Sequence, residues 1–289
     1  MDLCNIKEVK EIMELFHLSF RKEFGQNFLV NEDIVEQIAD SCGAAPGDTV
    51  LEIGPGIGTL TQKLAARYGQ VVAIEIDRGL IPVLNFTLTG YPNVRVINAD
   101  VLKADLGEIL APAFAAGEVS VCANLPYYIT TPILMELLES GLPFKSITVM
   151  LQSEVAARLC AEAGSSEYGA ITAVMAYYGQ VRRLFTVAPG NFVPPPSVTS
   201  TVIRVDLWKE KPYRPKDEAM LFRAIKAAFE QRRKTLVNAL SAGIREIPKE
   251  EHARAIADCG FRADIRGEKL SIADFVRLSD RLSEIAAGN

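Results

Sequence analysis

The sequence predicts a doubly wound α/β domain on a mostly parallel sheet with an antiparallel edge strand, followed by a small all-helical domain. Three observations carry this. Short apolar runs alternate with segments of helical period from Thr49 to Gln152, and strands separated by helices build right-handed βαβ units on a parallel sheet. Two β-type runs, QVRRLFTVAPGNF and SVTSTVIRVDLW, are joined by the proline-rich VPPPS, which suits an antiparallel pair at a sheet edge. The composition shifts after Trp208, where KEKPYRPKDE is polar with two prolines and reads as a linker. The expected domains are therefore 1–208 and 209–289.

The elements follow in order. The N-terminal MDLCNIKEVKEIMELFHLSF mixes acids and bases through its apolar residues. That is the pattern of an amphipathic helix and not of a secretory leader, so a helical extension is expected over 1–24. TVLEIG is a short apolar run ending in glycine, a buried strand. TLTQKLAARYG has helical spacing and is expected to close on a cap at Gly69. QVVAIEID is a strand, and GLIPVLNFTLT a weaker helix with Pro82 near its start. NVRVINAD and SVCANL are strands, TPILMELLESG a helix, SITVMLQ a strand and EVAARLCAEAG a helix. YGAITAVMAYYG reads as helix or strand. Beyond the linker, AMLFRAIKAAFEQRRKTLVNALSAG is one long helical pattern, with one or two helices after it.

Composition removes several classes of function. The chain has 289 residues, 49% hydrophobic and 23% charged, which suits a large globular domain with a smaller companion. No apolar run reaches transmembrane length, so no membrane role is expected. Five scattered cysteines without a CxxC pair suggest neither a disulfide framework nor a zinc site. Two histidines at opposite ends, His17 and His252, give no metal site and no Ser-His catalytic unit. A reducing compartment, the cytoplasm, is the expected location. The net charge of -5 disfavours a uniform nucleic-acid surface, although a local basic patch can dominate binding on an acidic chain.

The chemistry concentrates at strand ends. LEIGPGIGTLT follows a strand and opens a helix, with Gly54, Gly56 and Gly58 as GxGxG. Glycines there let the backbone turn tightly and approach a ligand at the helix N-terminus. The spacing differs from the dinucleotide GxGxxG, which disfavours an NAD oxidoreductase. Glu75 ends the next strand, where a carboxylate can accept from both hydroxyls of a ribose. Asp100 ends the third and Asn124 the fourth. Polar residues at the carboxyl ends of successive parallel strands are where such a sheet binds its ligand. For Glu75 or Asp100 alone, a helix-capping role remains the competing reading.

FGQNFL, LEIGPGIGTLT, IEID, NAD, NLPYYITTP, MLQSEVAARL, VPPPSVTSTVIR and QRRKTL stand in this order along the chain. The sequence thereby resembles the KsgA family of rRNA adenine dimethyltransferases, from about Arg21 to about Phe275. The resemblance implies a class I, Rossmann-like methyltransferase fold over 1–208 and a helical RNA- and ribosome-recognition domain over 209–289. It implies S-adenosylmethionine as cofactor and S-adenosylhomocysteine as its product. Carried across, the cofactor contacts are Asn27, Leu29, Gly54, Gly56, Glu75, Asp100 and Asn124.

The implied product is N6,N6-dimethyladenine, so a poorly nucleophilic exocyclic amine must be positioned. The Asn124 side-chain oxygen and the Pro126 carbonyl are the expected acceptors. They act by positioning and electrostatics, without a strong general base. Tyr127 is expected to stack on the adenine, with Phe192 on the other face by resemblance. A base presented this way is flipped or single-stranded. Tyr128 stands where many relatives carry asparagine and has no assigned role. Ser197 and Thr199 also depart from the commoner pattern.

For RNA phosphates, Arg232, Arg233 and Lys234 form the densest basic cluster, read as part of the C-terminal helix. Arg21, Lys22, Arg182 and Arg183 are further candidates. The expected partner is small-subunit rRNA within an assembling small ribosomal subunit, bound by a monomer. Two alternatives remain: a large-subunit rRNA adenine methylase conferring macrolide resistance, and an RNA-binding assembly factor on a methyltransferase fold.

Overall fold

The computed structural model describes residues 1–18 and 27–288. They pack as two compact units, Met1–Ala156 with Arg182–Lys209, and Ala157–Val181 with Glu210–Asn289. The second unit thus includes 157–181, a segment that the composition shift at Trp208 does not flag.

The first unit carries a helix α1 (Ile6–Leu15), a short strand β1 (Phe28–Leu29), α2 (Glu32–Asp40), and then an alternating series. The series runs β2 (Thr49–Ile53), α3 (Thr59–Ala65), β3 (Gln70–Glu75), α4 (Ile81–Thr87), β4 (Val94–Asn98), α5 (Leu106–Ala116), β5 (Val119–Asn124), α6 (Thr130–Glu139) and β6 (Phe144–Gln152). After α7 (Ser153–Leu159) and α8 (Ala170–Tyr178) come β7 (Gly179–Val187), β8 (Phe192–Val193) and β9 (Ser200–Leu207).

Seven strands form one sheet in the order β4-β3-β2-β5-β6-β9-β7. β2 pairs in parallel with β3 on one side and β5 on the other. β9 runs antiparallel to β6 and neighbours β7. All of β2 and all but the first residue of β3 are buried, which is why both read as uninterrupted apolar runs. The chain moves outward from β2 to β4 and then returns to β5 on the far side of β2. That reversal opens a crevice at the carboxyl ends of β2 and β5.

Two expectations for this unit are corrected. Gly69 does not cap α3, which ends at Ala65. Its N–H donates to the Asp48 carbonyl at 3.0 Å, and a Cβ there would lie 2.7 Å from the Gly47 carbonyl oxygen. Close backbone approach explains this glycine. The helix α5 has no counterpart in the sequence reading, because Pro112 interrupts its pattern. Asp105 starts it by accepting from the Glu108 N–H at 2.9 Å, and Leu106, Leu110 and Ala113 bury its inner face.

The second unit contains α8, α9 (Glu218–Glu230), α10 (Leu236–Gly243), α11 (Lys249–Asp258) and α12 (Ile272–Gly288). Tyr177, Leu221, Ile225, Leu240, Phe275 and Leu278 lie in its core. The single long helix expected after the linker is two. Gln231 leaves helical geometry (φ -121°, ψ 54°), and Thr235 enters α10 extended (φ -63°, ψ 153°). The Leu236 N–H donates to the Ile265 carbonyl at 2.7 Å. Both helices bury apolar faces in one core, and the turn lets the second fold back onto it. Among the described residues no helix is long and apolar enough to cross a membrane, and no cluster of three His, Cys, Asp or Glu side chains could hold a metal ion.

Candidate active site

The crevice at the strand ends has a volume of about 1120 Å³, its open mouth included. Asn27, Leu29, Gly54, Gly56, Glu75, Asp100 and Asn124 all line it. So do Pro126, Tyr127 and Phe192. The ends of four strands converge here, so residues separate in sequence become one wall.

The turn after β2 is built from left-handed backbone, with φ of +69° at Gly54, +62° at Gly56 and +95° at Gly58. A side chain at Gly56 would be strained, and its Cβ would sit 3.0 Å from the Phe28 ring. The turn is bonded to the next strand's acid. Glu75 accepts from the Gly56 N–H at 3.1 Å through Oε2 and from the Asp77 N–H at 2.8 Å through Oε1. Burial raises its pKa, while these backbone donors pull the other way. The carboxylate keeps acceptor capacity for a further donor. Asp77 in turn accepts from the Gly79 N–H at 2.9 Å and opens the helical turn beyond.

Asp100 accepts from the Leu102 N–H at 3.1 Å and pairs with Lys103 at 3.2 Å. Asn124 donates from Nδ2 to the Asn27 carbonyl across 3.5 Å, a long bond. With Nδ2 donating, Oδ1 is the side chain's acceptor, and Asn124 is part of the crevice lining. Apolar walls from Leu29, Ile53, Ile76 and Val101 complete the space.

The NLPY segment corrects one expectation. The Pro126 carbonyl already accepts from the Ile129 N–H at 3.2 Å and from Thr130 Oγ1 at 3.0 Å. Both lone pairs are engaged in the turn that opens α6, so this carbonyl is not the second acceptor for an incoming amine. Tyr127 is half-buried, and its hydroxyl pairs with Ser200 Oγ at 2.6 Å. Burial raises its pKa, and the Ser200 contact opposes that. Tyr128 is 62% exposed on the crevice rim. Phe192 is buried, and its backbone pairs opposite Leu29 in the small β1–β8 sheet.

Sequence reasoning missed two residues near this site. Glu52, within buried β2, is 2% exposed, and its Oε2 has no hydrogen-bond partner among the described residues. Desolvation pushes its pKa up to about 8, with a further push from Glu75. The Thr61 hydroxyl lies near enough to oppose this, yet outside hydrogen-bonding geometry. The signal was present: one acid inside the apolar run TVLEIG. Ser200 gave no signal, because its partner Tyr127 lies far back along the chain.

The basic candidates divide. Arg232 is paired with Glu268 at 3.0 Å and also bonds the Ser166 carbonyl. Arg232, Arg233 and Lys234 lie in the turn between α9 and α10, not in a helix. Arg233 and Lys234 are exposed. Arg182 pairs with Asp206 at 3.1 Å, and Arg183 is exposed. Arg21 and Lys22 lie outside the described residues.

A parallel sheet reversed beside a glycine turn, with one antiparallel strand inserted near its edge, is the Rossmann-like arrangement of class I methyltransferases. Two solved structures share it. A dimethyladenosine transferase from Plasmodium falciparum matches with a TM-score of 0.74 and 24% identity, over 86% of this chain and 95% of that one. The 23S rRNA methyltransferase ErmE matches with a TM-score of 0.70 and 26% identity, over 89% of this chain and all of its own. The family model for ribosomal RNA adenine dimethylase matches residues 17–284. Ribosomal RNA small subunit methyltransferase A of Alkaliphilus oremlandii is 44% identical over 96% of this chain and 97% of its own. The protein of that name from Bacillus licheniformis is 45% identical over 98% of each chain. The chain belongs to the ribosomal RNA adenine dimethylase family.

Proposed function

We propose that the protein transfers methyl groups from S-adenosylmethionine to N6 of two adjacent adenines near the 3' end of small-subunit rRNA. The product is N6,N6-dimethyladenine in a looped segment, made during ribosome biogenesis in the cytoplasm. One observation carries the reading: Asn124, whose amide oxygen has no hydrogen-bond partner among the described residues, lines the same crevice as Glu75. An acceptor for an amine and an acceptor for a ribose share one space.

The crevice fits the cofactor. A Cβ at Gly54 would meet no atom of the described residues within 4 Å, so the turn leaves open space at the crevice wall where a ligand can pass. The Glu75 carboxylate, ending its strand at the crevice, suits ribose hydroxyls. Asp100 suits an adenine amino group, between the apolar walls. When bound, S-adenosylmethionine supplies an electrophilic methyl group. Asn124 Oδ1 accepts one N6 hydrogen and aims the lone pair of the amine. The Leu125 carbonyl, on the same wall, takes the second acceptor role that the engaged Pro126 carbonyl does not fill. Tyr127 stacks on the base, held in place by Ser200, and Phe192 bounds its other side. As the methyl group bonds to N6 the sulfur leaves as a thioether and the excess N6 proton passes to solvent, which leaves one hydrogen on N6, so Asn124 serves both steps.

The exposed Arg233 and Lys234 are the phosphate contacts of the helical unit. The protein acts as a monomer on an assembling small subunit, with the helical unit supplying recognition surface that one adenine lacks. The test uses labelled methyl donor and unmethylated small ribosomal subunits, with the label mapped by primer extension. Expected is dimethylation of two adjacent adenines, lost in Asn124→Ala. Label on large-subunit rRNA would support the macrolide-resistance reading instead. Binding to the subunit without turnover would support the assembly-factor reading. Dimethyladenine formed by Asn124→Ala at the wild-type rate would overturn the mechanism.

A further inference from the structure

We propose that Tyr128 positions the RNA by stacking on the nucleobase next to the one held at Asn124. The inference rests on the adenine-methylation reading above. Tyr128 lies on the crevice rim with 62% of its surface exposed. Neither its ring nor its hydroxyl meets a partner among the described residues. Its neighbour Tyr127 contrasts with it, being half-buried and tied to Ser200 at 2.6 Å. Two adjacent tyrosines therefore divide: one ring is fixed inside the crevice, and the other stands free at its mouth.

A free aromatic ring there matches a need created by the chemistry. Drawing one adenine out of a strand strips a stacking face from its neighbour. A flat ring beside the entry replaces that face. Every base has a π-face, so such a ring holds a neighbouring nucleotide without reading its identity. The second target sharpens the point. Once one adenine is dimethylated, its N6 has no hydrogen to donate in pairing, while its ring face still stacks. When the adjacent adenine then enters the crevice, the finished base falls in the neighbouring position, against Tyr128.

The test compares Tyr128→Ala and Tyr128→Phe with wild type on unmethylated small ribosomal subunits. Tyr128→Ala should raise KM for the subunit about 10-fold, within the range set by base–aromatic stacking. KM for S-adenosylmethionine and the melting temperature should stay at wild-type values, because the ring is exposed. Primer extension should show singly modified RNA accumulating, and Tyr128→Phe should restore both readouts. Wild-type KM and product pattern in Tyr128→Ala would overturn the proposal. An equal defect in Tyr128→Phe would also overturn it, by placing the effect in the hydroxyl. If wild type places no methyl on rRNA adenine, the underlying reading fails and takes the proposal with it.

Discussion

Replacing Glu52 by glutamine probes the electrostatics beneath the glycine turn. The side chain is 2% exposed in the central strand, with Oε2 unpartnered. Its pKa is pushed up to about 8, first by desolvation and then by the charge on Glu75. The unfolded chain titrates this group near 4.3. Below that pH both states hold the proton. As pH rises above it, the unfolded chain releases a proton that the native chain retains, so stability falls. The slope is about 1.4 kcal/mol per pH unit, and it flattens as the native group titrates near 8. Between pH 6 and pH 8 the loss is about 2 kcal/mol. Glutamine fills nearly the same volume and has no proton to release. Urea unfolding at pH 6, 7 and 8 should therefore show wild type losing about 2 kcal/mol more than Glu52→Gln. The other titrating groups cancel in that difference. Parallel pH profiles for the two proteins would refute the reasoning, because they would mean that Glu52 is already ionised in the native crevice.

Glu75→Gln should weaken the methyl donor's Kd by about 10- to 100-fold, as expected for lost hydrogen bonds to a charged group. Calorimetry giving an unchanged Kd would remove Glu75 from ribose binding. Tyr127→Phe should cost about 1 kcal/mol of stability through the lost Ser200 bond and keep most activity. Tyr127→Ala should lower kcat/KM about 10- to 100-fold; equal kinetic losses in both variants would make the anchor, not the ring, the functional part. Reversing the charges of Arg233 and Lys234 should flatten the salt dependence of subunit binding by about one to two units of slope. Arg232→Ala should instead destabilise its unit, because that side chain is spent on Glu268 and Ser166. A slope unchanged by the double reversal would exclude these two residues as phosphate contacts.

The strands and the glycine turn were legible because a fully buried parallel strand is a short apolar run with a glycine or acid at its end. Glu75 and Asn124 end such runs and Asp100 follows the half-exposed strand VRVIN, so their order in sequence already maps onto one edge of the sheet. What escaped depends on contacts distant along the chain. The bond that orients Asn124 comes from Asn27, and the one that fixes Tyr127 comes from Ser200. The break between α9 and α10 falls in QRRKT, which has neither glycine nor proline to announce it. Pro126 misled for a local reason: its carbonyl is consumed by the start of α6, and a motif does not reveal where its own hydrogen bonds go. Glycine after a helical run predicts a cap, whereas at Gly69 the neighbouring backbone leaves no room for a Cβ.

The pairing of β1 with β8 sets a timetable. Phe28 and Leu29 emerge early during synthesis, but their partners Val193 and Phe192 come after every parallel strand is complete. Contacts this distant are late events in folding. A nascent chain that ends at Gln152 carries the glycine turn, Glu75, Asp100 and Asn124, yet lacks the segment that backs Leu29. Methyl-donor affinity should therefore arrive as a late step in translation, not gradually with the growing sheet. The crevice proposed to hold the methyl donor is thus completed only when the first unit is nearly finished.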